Sequence, residues 1–175
     1  MKRALVVGGS GMLAGVSHWL VEQGYEIYVV GRSKRKMAKL MSREGKLHPL
    51  YVDYRHLVEF KQNIKQTFDW DLIIAWIHRV PENPMETLLE SIQEQETNCH
   101  LYHVLGSSSD LNEMRETLEI PKHCYYHQVK LGFKVDHNQS RWLTNSEISD
   151  GVIEAIKSGQ STYIVGQLEP WGQRP

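Results

Sequence analysis

Two periods of apolar residues take turns along the chain, and their succession predicts its architecture before any chemistry is considered. Residues 4–7, A-L-V-V, form an apolar run of strand length. After a group of glycines the apolar positions fall at Met12, Leu13, Val16, Trp19 and Leu20, the spacing of one helical face, which stops at Gly24. Strand character returns in Y-E-I-Y-V-V-G, residues 25–31. A strand, a helix and a strand within about 30 residues have the size of a right-handed crossover between parallel neighbours. The alternation continues with a basic helix from Ser33 to about Arg43, a strand L-H-P-L-Y-V, a helix near 56–67 and the strand L-I-I-A-W-I. A helix near 85–95, the strand H-L-Y-H-V-L, a short polar helix near 111–118 and a strand within Y-Y-H-Q-V-K-L follow. Thr144 and Glu147 have the spacing of a capping box ahead of Ile148, Val152, Ala155 and Ile156, and Gly159 can close that helix before the strand T-Y-I-V-G. The expected fold is a single doubly wound, Rossmann-like α/β domain over residues 1–175. It has a parallel sheet of about seven strands and helices on both faces.

Composition narrows the class of function. The chain has 175 residues and a formal charge of -1, with no basic block that would mark a nucleic-acid footprint. Its apolar stretches are too short for a membrane span, and no signal-peptide succession opens the chain, so a cytoplasmic protein without nucleic-acid or membrane partners is expected. Cys99 and Cys124 have no C-x-x-C spacing and apolar surroundings, which assigns them to the interior without chemistry. The pairs His100/His103 and His123/His127 fall in expected strands, not at ligand spacing on a helix, and no metal site is expected.

The glycines after the first strand carry the main chemical signal. Gly8, Gly9, Gly11 and Gly15 fall within V-V-G-G-S-G-M-L-A-G, and Gly9-x-Gly11-x-x-Ala14 satisfies the dinucleotide fingerprint where a strand hands over to a helix. Such a turn brings backbone amides up to a pyrophosphate at the positive end of a helix, and the small Ala14 permits close packing of helix on strand. The alternative is a tight turn with no ligand. At the end of the second strand, where an NAD site carries an acid against the ribose hydroxyls, the chain reads Gly31-Arg32-Ser33-Lys34-Arg35. Arg32 matches a 2′-phosphate in charge and geometry, with Ser33 and Lys34 or Arg35 assisting, so NADP is expected over NAD. Lys34, Lys36 and Lys39 read equally well as a solvated helix face.

In order along the chain, these segments resemble the short-chain dehydrogenase/reductase superfamily. V-V-G-G-S-G-M-L-A, with Gly8, Gly9, Ser10, Gly11, Met12 and Leu13, resembles its cofactor loop. The resemblance implies that Asp53, beside Tyr54, meets the adenine amine, and that Ala75, Trp76 and Ile77 in A-W-I-H flank the adenosine ribose. L-G-S-S-S, with Gly106 and Ser107, resembles the family's serine-bearing strand end. Leu131-Gly132-Phe133 stands where the family carries Pro-Gly. The family relation further implies a homo-oligomer.

The family's catalytic Tyr-x-x-x-Lys lies on a helix. Here Tyr126 and Lys130 have that spacing, but H-C-Y-Y-H-Q-V-K-L has the composition of a strand, on which residues four apart are separated by about 13 Å. These two are therefore not assigned to catalysis. His78 as proton donor and Ser107 as hydrogen-bond donor are the remaining candidates, against the reading of His78 as a plain loop histidine and Ser109 as a helix cap. Arg141 and Trp142 read either as a border of the substrate cleft or as surface. Three functions stay open: an atypical NADPH-dependent carbonyl reductase with a small-molecule substrate, a non-catalytic NADP(H)-binding redox sensor or regulatory module with none, and a binder of nucleotide sugars or other phosphate ligands.

Overall fold

A computed structural model, which describes residues 1–41 and 45–175, realises the alternation. Its first half contains β1 (Arg3–Val7), α1 (Ala14–Glu22), β2 (Glu26–Gly31), α2 (Lys34–Met41), β3 (Leu47–Tyr51), α3 (Leu57–Ile64) and β4 (Leu72–Ala75). Then come α4 (Pro84–Glu94), β5 (Cys99–Leu105), α5 (Leu111–Thr117), β6 (Cys124–Leu131), β7 (Phe133–Asp136), β8 (Gln139–Trp142), α6 (Asn145–Ser158) and β9 (Thr162–Val165). Arg43, the expected end of the second helix, lies outside the described residues. Seven strands form one parallel sheet in the order β3, β2, β1, β4, β5, β6, β9.

Period-two alternation in β1 divides the core. Ala4 and Val6 face the layer of α1, α2 and α6, while Leu5 and Val7 face α3 and α4. A central strand buried on both faces has no polar side to show, which is why it reads as an unbroken apolar run. Each fully buried Leu or Ile here contributes roughly 1.5–3 kcal/mol. The chain is a doubly wound, Rossmann-like α/β fold.

Some boundaries differ from the sequence expectation for local reasons. The third helix stops at Ile64 because Lys65 turns extended (φ -80°, ψ 114°). The fourth strand stops at Ala75, so Trp76 and Ile77 lie beyond it. Asp110, not Ser109, caps α5, accepting the Glu113 N–H at 3.0 Å. The close approach expected of Ala14 falls one residue later and against a helix: a Cβ on Gly15 would lie 2.9 Å from Ser149 Cβ on α6.

A hairpin that the sequence reading lacked occupies residues 133–142. β7 and β8 pair antiparallel, and His137 and Asn138 between them both have positive φ (50° and 62°), the signature of a two-residue turn whose twist suits a hairpin. Its signal is present in V-D-H-N-Q-S-R-W, a turn-forming Asn between short alternating runs. Arg141, at the hairpin's end, pairs with Asp136 at 2.8 Å and with Glu147 of α6 at 2.7 Å. Lys134 pairs with the same Glu147. These cations hold the Glu147 carboxyl well below the usual carboxylate range, with Arg141 the larger cause.

Candidate functional site

Crossovers leave β1 toward one edge of the sheet and β4 toward the other, so the carboxyl ends of these neighbouring strands part and open a crevice. The glycine turn lies there. Gly8 has φ 76°, and a Cβ on it would stand 2.0 Å from the Trp76 carbonyl oxygen; Gly9 has φ 63° and faces the Leu13 side chain. Both positions therefore require glycine for the turn itself, whatever the turn holds. Leu13 N–H donates back to Gly9 O at 2.6 Å, and Ala14 N–H to Gly11 O at 3.4 Å. The helix that follows has no side-chain cap and no acidic residue in its first turn. Leu13 is fully buried and off the cleft wall, so it can meet a ligand only through its backbone.

A cleft of about 960 Å³ runs along this edge, walled by Gly8, Gly9, Ser10, Gly11 and Met12. Its wall is strongly basic, with Arg32, Lys36, Lys39 and Arg55 on it, together with His18 and a single carboxylate, Asp53, which Arg32 and Arg55 face. Arg32 is 71 % exposed at its side chain and lies 3.6 Å from Asp53. Arg55 holds Asp53 more tightly, Nη2 donating to Oδ2 at 2.7 Å and Nε to Oδ1 at 3.1 Å. Those bonds keep the Asp53 carboxyl well below its ordinary range. Ser33 lines the cleft, but its hydroxyl accepts the Lys36 N–H at 3.3 Å as a helix cap. Arg35 is not on the wall; Lys36 and Lys39 are.

Beyond β4 the wall continues through Trp76, His78 and Val80, with Tyr54 opposite and Asn145 of α6 beside the glycine turn. The His78 N–H donates to Tyr54 Oη at 3.1 Å, and its ring meets Trp76 edge to face at 5.5 Å. His78 is exposed, Ala75 is buried beneath the site, and Ile77 lies half-buried off the wall. Gly106 and Ser107 follow β5 outside the cleft wall, and among the described residues no hydrogen bond joins Ser107 to His78. Leu131 and Phe133 are buried, and a Cβ on Gly132 would lie 2.2 Å from the Gln167 carbonyl oxygen, so this segment is packed as structure away from the wall. Trp142 is exposed with Arg174 5.9 Å from its ring, and Arg141 is engaged in the ion pairs of the hairpin.

Tyr126 and Lys130 lie on β6, as their composition predicts. The Tyr126 hydroxyl is bonded to His103 Nδ1 at 2.7 Å and accepts from Gln128 Nε2 at 3.3 Å, and burial pushes its pKa up to about 12. α5, where a catalytic Tyr and Lys would be sought, reads L-N-E-M-R-E-T. On the cleft wall, Arg55, His18 and Asn145 belong to no sequence motif, and Lys36 and Lys39 read from the sequence as a solvated helix face. Ser33 as a cap followed by Lys36 and Lys39, three apart on one helical face, is the signal that was available for those two.

No family model and no curated protein matches the chain. Solved structures do. A short-chain dehydrogenase from Burkholderia cenocepacia in complex with NADP is 16% identical at a TM-score of 0.67, covering 96% of this chain and 91% of that one. A putative epimerase from Bacteroides thetaiotaomicron is 14% identical at 0.68, covering 96% and 98%. A bulky-bulky ketone specific alcohol dehydrogenase from Comamonas testosteroni is 15% identical at 0.68, covering 98% and 90%. The chain shares the fold of these three structures.

Proposed function

From that fold and this cleft, we propose that the chain binds NADP(H), with the pyrophosphate on the glycine turn and the 2′-phosphate among Arg32, Lys36 and Lys39. The observation that carries the reading is an uncapped helix start opening onto a cleft whose wall has four cations and one carboxylate. The amides of Ser10, Gly11 and Met12 and the positive end of α1 suit the pyrophosphate. An adenine amine at Asp53 would share that carboxylate with Arg55. The turn leaves room for the group at Gly11, where a Cβ would meet only Asn145 Nδ2, at 3.8 Å.

Bound NADPH supplies a hydride. His78 is the titratable side chain on the wall beyond β4 and is the candidate to hold a proton for a carbonyl oxygen, and Ser107 is the candidate hydrogen-bond donor if the loop after β5 closes over a substrate. A second reading, a regulatory NADP(H)-binding module, is favoured by the engagement of the Tyr126 hydroxyl with His103 and Gln128 and by the sequence of α5. Titration with NADPH and NADH tests the shared claim: NADPH should bind at least about tenfold tighter, the worth of one charge-assisted pair. Binding of neither below millimolar concentration overturns it. NADPH consumption over a panel of aldehydes, ketones and quinones separates the two readings, and a rate unchanged in His78→Ala removes His78 from the reaction.

A further inference from the structure

We infer that Asn145 is a ligand of the phosphates at the glycine turn, its carboxamide closing the cradle from the α6 side. This rests on the NADP(H) reading above. Asn145 stands on the wall of the cleft, and its Nδ2 lies 3.8 Å from where a Cβ on Gly11 would be. An oxygen resting on the amides of the turn is thus within reach of a side-chain N–H donor as well. The side chain is exposed, and among the described residues no hydrogen bond ties it to another part of the protein. It is available to a ligand.

The backbone beneath it, by contrast, is fixed. Ser149, one turn along α6, donates from Oγ to the Met12 carbonyl at 2.7 Å and packs against Gly15. α6 is thereby bonded directly to the turn that would hold the phosphates. Thr144 and Glu147 close the capping box at the start of α6, and Arg141 and Lys134 of the hairpin hold Glu147 from the other side. An uncharged donor on a fixed turn adds direction to phosphate binding without adding to the charge already supplied by the basic wall of the cleft.

Calorimetric titration of the full chain with two probes, NADPH and adenosine 2′-monophosphate, tests this. The second probe keeps the 2′-phosphate and lacks the pyrophosphate. Asn145→Ala should weaken NADPH about 5- to 10-fold, the worth of one or two hydrogen bonds, and leave the monophosphate unchanged. Asn145→Asp should weaken NADPH further, in a way that added salt relieves, and Asn145→Ser should recover part of the loss. Arg32→Ala should weaken both probes. Wild-type affinity for NADPH in Asn145→Ala overturns the proposal and leaves the NADP(H) reading standing, as does equal weakening of both probes. Failure of the wild-type chain to bind NADPH overturns the underlying reading, and the role of Asn145 falls with it.

Discussion

At the scale of single residues, the glycines and the cations of the cleft are constrained by different physics. Gly8 is set by backbone geometry, because positive φ and the nearness of the Trp76 carbonyl together exclude a side chain. Gly8→Ala should therefore cost about 1–3 kcal/mol, read from urea unfolding, and the soluble fraction should bind NADPH more weakly. Arg32 is mostly exposed and makes one long ion pair, so its removal should leave the fold intact. Arg32→Ala should bring NADPH and NADH to similar affinity in parallel titrations, and a persisting preference would transfer the 2′-phosphate to Lys36 and Lys39. The glycines were legible in the sequence because their requirement is local. Lys36 and Lys39 were half-legible, since a capped helix start fixes which residues share its face but not what that face meets. Asn145 was illegible, because it reaches Gly11 only through the packing of α6 on α1, elements separated by most of the chain.

Among the elements, α6 is the best specified and also the one that joins distant parts. Its capping box, Glu147 ion pairs and left-handed Gly159 (φ 66°) agree with one another. Thr144→Ala removes the acceptor of the Glu147 N–H and should cost about 1 kcal/mol, a fall of roughly 2–4 °C in the thermal midpoint. A fall no larger than that of Ser146→Ala, an exposed position in the same turn, would mean that the Arg141 and Lys134 pairs hold this end alone. α5 is the counterexample. It is short and contributes no buried residue, and the sheet face beside it carries His103, Tyr126 and Gln128. The strand composition of residues 124–131 excluded a helical Tyr-x-x-x-Lys, and the structure adds where the Tyr126 hydroxyl is engaged. The hairpin of β7 and β8 went unread because its strands have four residues each, too few for a period to stand out against the stronger parallel alternation.

For the whole molecule, the buried polar face beside α5 predicts acid sensitivity. Burial pushes the His103 pKa down from 6.5 to about 4. Below pH 6.5 the unfolded chain takes up a proton that the folded chain refuses, so stability falls as pH drops from about 6.5 to about 4 and then stops changing on this account. The loss is on the order of 3 kcal/mol. His100, lowered by burial and by its neighbour His127, acts in the same direction, whereas Asp53 and Glu147 weaken the fold only below the ordinary carboxylate range. Urea midpoints measured across this window should fall in the wild type and fall less in His103→Gln; a flat wild-type profile would show that His103 is hydrated. The sequence by itself determined the parallel α/β layering, the glycine turn on the first strand and a basic residue where NADP is expected, because strand and helix periods, positive-φ turns and helix starts are short-range properties. Only the tertiary structure decided which side chains share the cleft, that Ser107 and the 131–133 segment lie off its wall, and that α6 closes on the glycine turn. Those facts depend on strand order and on helices packed across the sheet, which no local period encodes.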